Sequence, residues 1–418
     1  MEQATAPASK LKIAAEQILP NFVNKRMDQH FCERVERLLG GEHMHQWRAP
    51  GPDAIYVASN DYLCITAEPE LILAQAAQLK FGGDMLMSSV FLQAGSVQHQ
   101  LEQKFAAYLG SQDSLLTQSG WAANVGLLQS IAAPGVPVYL DMMAHASLWE
   151  GVLSAQARAL PFLHNDASHL KRQVARHGPG VIVVDSVYST NGSLCPLLEV
   201  LAVAEDSGSI LVVDESHSLG THGPEGAGLV AALGVSERVH FRTASLAKAF
   251  GGRAGLVTCS SKFKNYFLSS SRPAIFSSCL LTHELAWFDA ALDFIRAAED
   301  RRQTLRRNTR RIRAGLAGLG YNVSDGSEQI IALEAGTEPS TLVLRKALEE
   351  QGIYGAVFCA PATAKNRSLV RLTLNAGLTE IELDKLLAVC ADIRERVALS
   401  TWSSTRRRAH GAAAAAPR

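Results

Sequence analysis

Lys248 stands in Thr243-Ala-Ser-Leu-Ala-Lys248-Ala-Phe-Gly-Gly252, a run of small residues where a long cationic side chain has no packing role. A lysine amine in such a pocket loses hydration and its pKa falls, so it becomes a nucleophile toward an aldehyde and later a base. Upstream, Val212-Val-Asp-Glu-Ser-His217 runs apolar and then turns acidic. A carboxylate at the end of a buried strand is costly unless it meets a cation, and a protonated pyridine nitrogen is such a partner for Asp214. The pair suggests pyridoxal phosphate, held through its aldehyde by Lys248, with Asp214 keeping the ring nitrogen charged so that the ring draws electrons from a carbanion. Taken singly, Lys248 is also readable as a surface lysine at a helix start and Asp214 as a strand-end cap.

Other residues of the right type surround these two. His217 is spaced to hydrogen-bond the cofactor's phenolic oxygen, with Ser216 beneath the ring. His145, in Asp141-Met-Met-Ala-His-Ala-Ser147, either stacks on the pyridine face or is a satisfied structural histidine. Ser119-Gly-Trp-Ala-Ala-Asn124 follows a strand-like run and opens an apolar helix. Glycine there permits close backbone approach, and the helix start offers free N–H groups to a phosphate. Arg371, in Val370-Arg-Leu-Thr-Leu374, suits two-pronged capture of a substrate carboxylate, or lies on an edge strand in water. A basic stretch with Arg301, Arg302, Arg306, Arg307, Arg310, Arg311 and Arg313 either meets coenzyme A phosphates or is a solvated face. Phe91, Leu92 and Phe358 are candidates for an acyl channel or for core.

Such residues need a scaffold that brings distant segments to one edge. Short apolar runs at 114–117, 137–140, 181–185, 210–214 and 256–259 alternate with helix-length segments. That alternation predicts a mostly parallel sheet covered on both faces, an α/β fold with its polar strand ends at the ligand-binding carboxyl edge. We expect an N-terminal arm over 1–54, a large domain over 55–295, a smaller α+β domain over 296–398 and a disordered tail over 399–418. At 418 residues and 47% hydrophobic, the chain can bury a large core. Lys plus Arg and Asp plus Glu number 40 each, so no global field recruits nucleic acid or a membrane surface. Seven scattered cysteines with no C-x-x-C pair point to neither disulfides nor a zinc site, and no metal is expected. With no leader-like start and no long apolar run, a cytoplasmic protein is expected.

The motifs together resemble the α-oxoamine synthases, pyridoxal-phosphate enzymes of fold type I that join an amino acid to an acyl-CoA with loss of carbon dioxide. The likeness runs from Ser59-Asn-Asp-Tyr-Leu63 to Arg371-Leu-Thr-Leu374 and includes Ser119-Gly-Trp, His145-Ala-Ser, Val187-Tyr-Ser-Thr-Asn-Gly192, Asp214-Glu-Ser-His and Ser245-Leu-Ala-Lys248. By that resemblance Lys248 holds the cofactor, Asp214 pairs with the ring nitrogen, and His217 and Ser189 lie near the phenolic oxygen. His145 stacks on the ring, Gly120, Trp121 and Ser245 with Ser119 hold the phosphate, and Arg371 with Asn60 binds the substrate. Ser277, in Phe276-Ser-Ser278, matches a residue that reaches the phosphate from a neighbouring subunit, which implies a homodimer with its active site at the interface. Within the family the chain is most similar to cholera-type quorum-sensing autoinducer synthases, through Gln118-Ser-Gly-Trp, Ser147-Leu-Trp-Glu-Gly151 and Gly355-Ala-Val-Phe-Cys-Ala-Pro-Ala-Thr363. This implies a medium- or long-chain acyl-CoA and either S-adenosylmethionine or 2-aminobutyrate as substrates. Arg253 and Ser216 stand where other branches carry small residues and alanine, which points away from glycine, alanine or serine. The alternatives are another α-oxoamine synthase, of the 8-amino-7-oxononanoate or 2-amino-3-ketobutyrate type, or an aminotransferase on the same fold.

Overall fold

The computed structural model describes residues 19–46, 48–81, 87–88, 91 and 95–406. The chain divides into two compact units, the first ending at Gln46. In that first unit the helix Asn21–Gln29 runs on into a π-helical stretch, His30–Leu38. The second unit contains all eleven strands found among the described residues. In chain order these are β1 (Ile55–Val57), β2 (Asp113–Thr117), β3 (Pro137–Asp141), β4 (Arg158–Phe162), β5 (Val181–Asp185), β6 (Ile210–Asp214), β7 (Phe241–Ser245), β8 (Gly255–Cys259), β9 (Ile330–Gly336), β10 (Ile353–Phe358) and β11 (Ser368–Thr373).

Seven of them form one sheet in the order β2-β8-β7-β6-β5-β3-β4. Only β8 runs against its neighbours; the other pairings are parallel. The continuously apolar strands explain the layering. Along β5, Ile182 and Val184 enter one core with Leu170 and Leu197, while Val181 and Val183 enter another with Leu127 and Leu148. Side chains alternate across a strand, so a run with no polar positions requires helices on both faces.

The apolar runs at 114–117, 137–140, 181–185, 210–214 and 256–259 all became strands of this sheet, but two of its strands escaped the pattern. β4 is an edge strand holding Pro161, tolerated there because an edge has no second ladder to satisfy. β7 carries Arg242 as its second residue, and that charge masked it. The guanidinium is 4% exposed, pairs with Glu215, and donates to the Leu109 carbonyl at 3.0 Å and to the Ala227 carbonyl.

A second sheet, ordered β1-β10-β11-β9, carries Arg371 on an inner strand. β1 pairs with β10 in this sheet, so the expected start of the large domain at Ile55 is corrected: residues 55–57 belong with the C-terminal strands. The expected disordered tail is corrected over its first residues, while 407–418 lie outside the described residues. Leu399–Thr401 form a short 3-10 turn, Trp402 is 3% exposed against Tyr321, and Ser404 donates to the Glu334 carbonyl at 2.6 Å. A buried indole with a partnered N–H, donated to Val397, holds this segment in place.

The arginine-rich helix spans Glu299–Gly318, and neither expectation for it holds uniformly. Arg302 is buried and bonded to the Ile295 carbonyl and Glu299, and Arg301 caps the Leu63 and Cys64 carbonyls. Arg313 binds the Val323, Gly326, Glu328 and Ile330 carbonyls, and burial pushes its pKa down to about 10. These guanidinium groups tie the chain to itself.

Candidate active site

The carboxyl ends of β3, β5, β6 and β7 and the start of the helix Gly120–Ile131 converge on one pocket. Its walls are Gly120, Trp121, Asn124, His145, Ser147, Asp185, Asp214, Ser216, His217, Ser245 and Lys248. Ser119 caps the helix through its hydroxyl, which accepts from Ala122 N at 3.1 Å, so the next N–H groups remain free toward the pocket. Gly120 is required by close approach: a Cβ there would lie 2.6 Å from Ser245 Cβ and 2.8 Å from its Cα. The helix start and the loop bearing Lys248 therefore touch backbone to backbone.

Lys248 lies in the pocket. Burial, reinforced by the nearby Arg371 charge and opposed by Asp214, brings its pKa down to about 8. Asp214 ends β6 at 4% exposure, and its oxygens accept from Asn124 Nδ2 at 2.7 Å and Ser216 N at 2.8 Å. Both donors are neutral, so the carboxylate's charge is left for a cation inside the pocket. His145 caps the helix Ala146–Ser154, its Nδ1 2.8 Å from Ser147 Oγ, with the indole of Trp121 edge-on at 6.4 Å. Burial lowers its pKa, the Asp214 charge works against that, and Lys248 adds to it. His217 is pushed well below the ordinary imidazole value by burial and then by Lys248, Arg371 and His145.

Arg371 reaches from β11 and is 5% exposed, which disposes of the edge-strand alternative. Its guanidinium donates to the Ser189 carbonyl at 2.9 Å and to Asn60 Oδ1 at 3.1 Å, and lies 4.6 Å over the Phe358 ring. Its Nε has no partner among the described residues. Asn60 and Ser189 thus meet Arg371 directly, Ser189 through its backbone. Ser277 does not line the pocket; its hydroxyl donates to the Pro273 carbonyl. Of the two departures noted in the sequence, Ser216 accepts from Ser245 N at 2.7 Å and pins the lysine-bearing loop. Arg253 is 81% exposed beside Glu284 and lies outside the pocket wall. Phe91 is 66% exposed, so it is not core; Leu92 lies outside the described residues, and Phe358 packs under Arg371.

Three residues went unmarked in the sequence. Asp185 sits directly beside Asp214 in the β5–β6 register and accepts from His145 N at 3.3 Å. Burial, then the Asp214 charge, pushes its pKa well above the usual carboxylate range. The acidic end of the apolar run Val181–Asp185 was its signal. Asn124 links Asp214 to Ser147 Oγ at 2.8 Å, leaving its own Oδ1 unpartnered, and a lone amide in an apolar helix was the clue. Ser147 is fully buried and had no signal of its own.

The pocket fits pyridoxal phosphate. It presents a depressed lysine amine, a buried carboxylate bonded only to neutral donors, a helix start for the phosphate, and a cradle at Gly120 with no room for a side chain. Comparisons with known proteins agree. A profile of the aminotransferase class I and II family matches residues 52–389. A CAI-1 autoinducer synthase of Vibrio campbellii is 43% identical, covering 90% of this chain and 95% of that protein. An 8-amino-7-oxononanoate synthase of Trichlorobacter lovleyi is 32% identical, covering 81% and 88%. A solved structure of SPT with a PLP internal aldimine superposes with a TM-score of 0.82 at 25% identity, covering 90% of this chain and 99% of that one.

Proposed function

Because the chain belongs to the class I and II aminotransferase family and, within it, to the pyridoxal-phosphate-dependent α-oxoamine synthases, we propose that it condenses a medium- or long-chain acyl-CoA with S-adenosylmethionine or 2-aminobutyrate. The product would be an α-aminoketone, precursor of an α-hydroxyketone quorum-sensing signal. One observation carries the reading: Lys248 and Asp214 share a pocket within electrostatic reach of the buried guanidinium of Arg371, a carboxylate binder. The 43% identity to an autoinducer synthase supports the choice within the family.

The cofactor, when bound, supplies an electron-poor ring that stabilises negative charge at the amino acid's Cα. The residues supply the rest. Asp214 would keep the ring nitrogen protonated, and His145 would lie against the ring. Gly120 and Trp121 N–H groups with the Ser245 hydroxyl hold the phosphate behind the Ser119 cap, and Ser277 reaches it across a homodimer interface. His217 and Ser189 serve the phenolic oxygen, while Arg371 and Asn60 hold the substrate carboxylate. Lys248 would take the Cα proton as a base, which a pKa of about 8 permits near neutrality. The new bond joins Cα to the acyl carbon as the thioester C–S bond breaks and coenzyme A departs as its thiol. Loss of the carboxyl group as carbon dioxide and return of one proton to Cα complete the balance. No described helix is long and apolar enough to cross a membrane, and a cytoplasmic setting belongs to the same proposal.

The test is to incubate purified protein, loaded with pyridoxal phosphate, with acyl-CoAs of graded length and each amino donor, and to identify ketones by mass spectrometry. Acyl-dependent carbon dioxide release with a matching aminoketone is expected. Amino exchange with keto acids and no need for acyl-CoA would instead identify an aminotransferase.

A further inference from the structure

Tyr62 is fully buried on the connection that follows β1, and its hydroxyl lies 2.5 Å from His217 Nδ1. The surroundings fix both partners. The His217 carbonyl accepts from Gln329 Nε2 at 2.9 Å and Thr221 Oγ1 at 3.2 Å, and the Tyr62 carbonyl accepts from Ala376 N at 2.8 Å. Burial raises the phenol's pKa, so it keeps its proton; burial and the Lys248 and Arg371 charges keep the imidazole neutral. A neutral imidazole has one N–H, and a fully buried phenol proton needs an acceptor; among the described residues the acceptor placed at hydrogen-bond distance from the Tyr62 hydroxyl is His217 Nδ1, so the phenol donates in this pair. Nδ1 therefore accepts, and the ring proton sits on Nε2.

We propose that Tyr62 is a positioning residue: its O–H locks His217 in the tautomer that presents Nε2–H to the pocket, making His217 a donor toward the cofactor's phenolic oxygen. This rests on the cofactor assignment above. The same connection carries Asn60, which accepts from Arg371, so one short segment orients both the arginine and the histidine. Without the phenol's proton either tautomer is open to His217, and in one of them the ring would face the phenolic oxygen with a lone pair.

The experiment uses the full chain loaded with pyridoxal phosphate. The pH midpoint of its visible absorbance is measured for the native protein, Tyr62→Phe, His217→Gln and the double variant. Losing a donor destabilises the phenolate, so Tyr62→Phe is expected to raise the midpoint by about one unit. In the His217→Gln background the second change is expected to leave it unmoved, because the effect runs through the imidazole. Equal shifts in both backgrounds, or none in either, overturn the proposal. Nitrogen-15 NMR of labelled histidines gives a second readout, with the His217 signals identified by their loss in His217→Gln. A protonated Nε2 and bare Nδ1 are expected in the native protein; a protonated Nδ1 overturns the proposal even if Tyr62→Phe fails to fold. Absence of any borohydride-sensitive visible band would count against the cofactor assignment, whereas an intact band with an unmoved midpoint sinks only the role of Tyr62.

Discussion

Lys248 bears a cost in the empty protein that its chemistry requires. Its pKa is about 8 in the fold against 10.5 in an open chain. Below pH 8 both states carry the proton and the fold bears the full penalty; between the two values only the unfolded chain stays charged, so stability rises with pH. Lys248→Met is therefore expected to stabilise the cofactor-free protein at pH 7 by on the order of 2 kcal/mol, a gain that fades toward pH 10.5 in urea titrations. Asp214→Asn keeps the shape and removes the charge. It is expected to lower kcat about 100-fold or more, with the KM for acyl-CoA little changed, as read by carbon dioxide release. The sequence disclosed Lys248, Asp214, His145 and His217 because their types are out of place among small or apolar neighbours. It concealed Asp185, Asn124 and Tyr62, whose roles come from facing groups far away along the chain: Asp185 beside Asp214, Tyr62 against His217.

Elements position these groups through two tight joints. The first is the backbone contact of the helix Gly120–Ile131 with Ser245. Gly120→Ala would force them apart by several tenths of an ångström or more, so the equilibrium constant for pyridoxal phosphate dissociation, followed by absorbance, is expected to rise at least about tenfold. The second joint is buried and ionic, with Arg242 on β7 paired to Glu215 just beyond β6. It ties the start of the strand that leads to Lys248 to the turn that holds His217. Glu215→Leu would leave the guanidinium buried and unpaired, at an expected loss of about 3 to 5 kcal/mol in denaturant unfolding. Periodicity found the strands whose runs are purely apolar and lost β7, because a paired charge in a strand looks like a loop until its partner is known.

At the scale of the larger unit, segments far apart in the chain share one sheet and one core. Trp402 packs on Tyr321, and Trp402→Ala is expected to cost about 3 to 5 kcal/mol, seen as a lower urea midpoint with unchanged cofactor absorbance. Composition misled at this point, since an arginine and alanine tail hides one well-seated indole. β1 was invisible for a related reason: three residues at 55–57 carry too little pattern to reveal a partner at 353–355. Their pairing has a consequence for biosynthesis. On the ribosome, Ile55–Val57 emerges about 300 residues before the strand it joins, so an early segment must wait with an unmatched edge while the rest is translated. Arg371 arrives later still, which makes the proposed anchor for the substrate among the last parts of the site to be installed, and leaves a nascent chain able to enclose a cofactor before that anchor is in place.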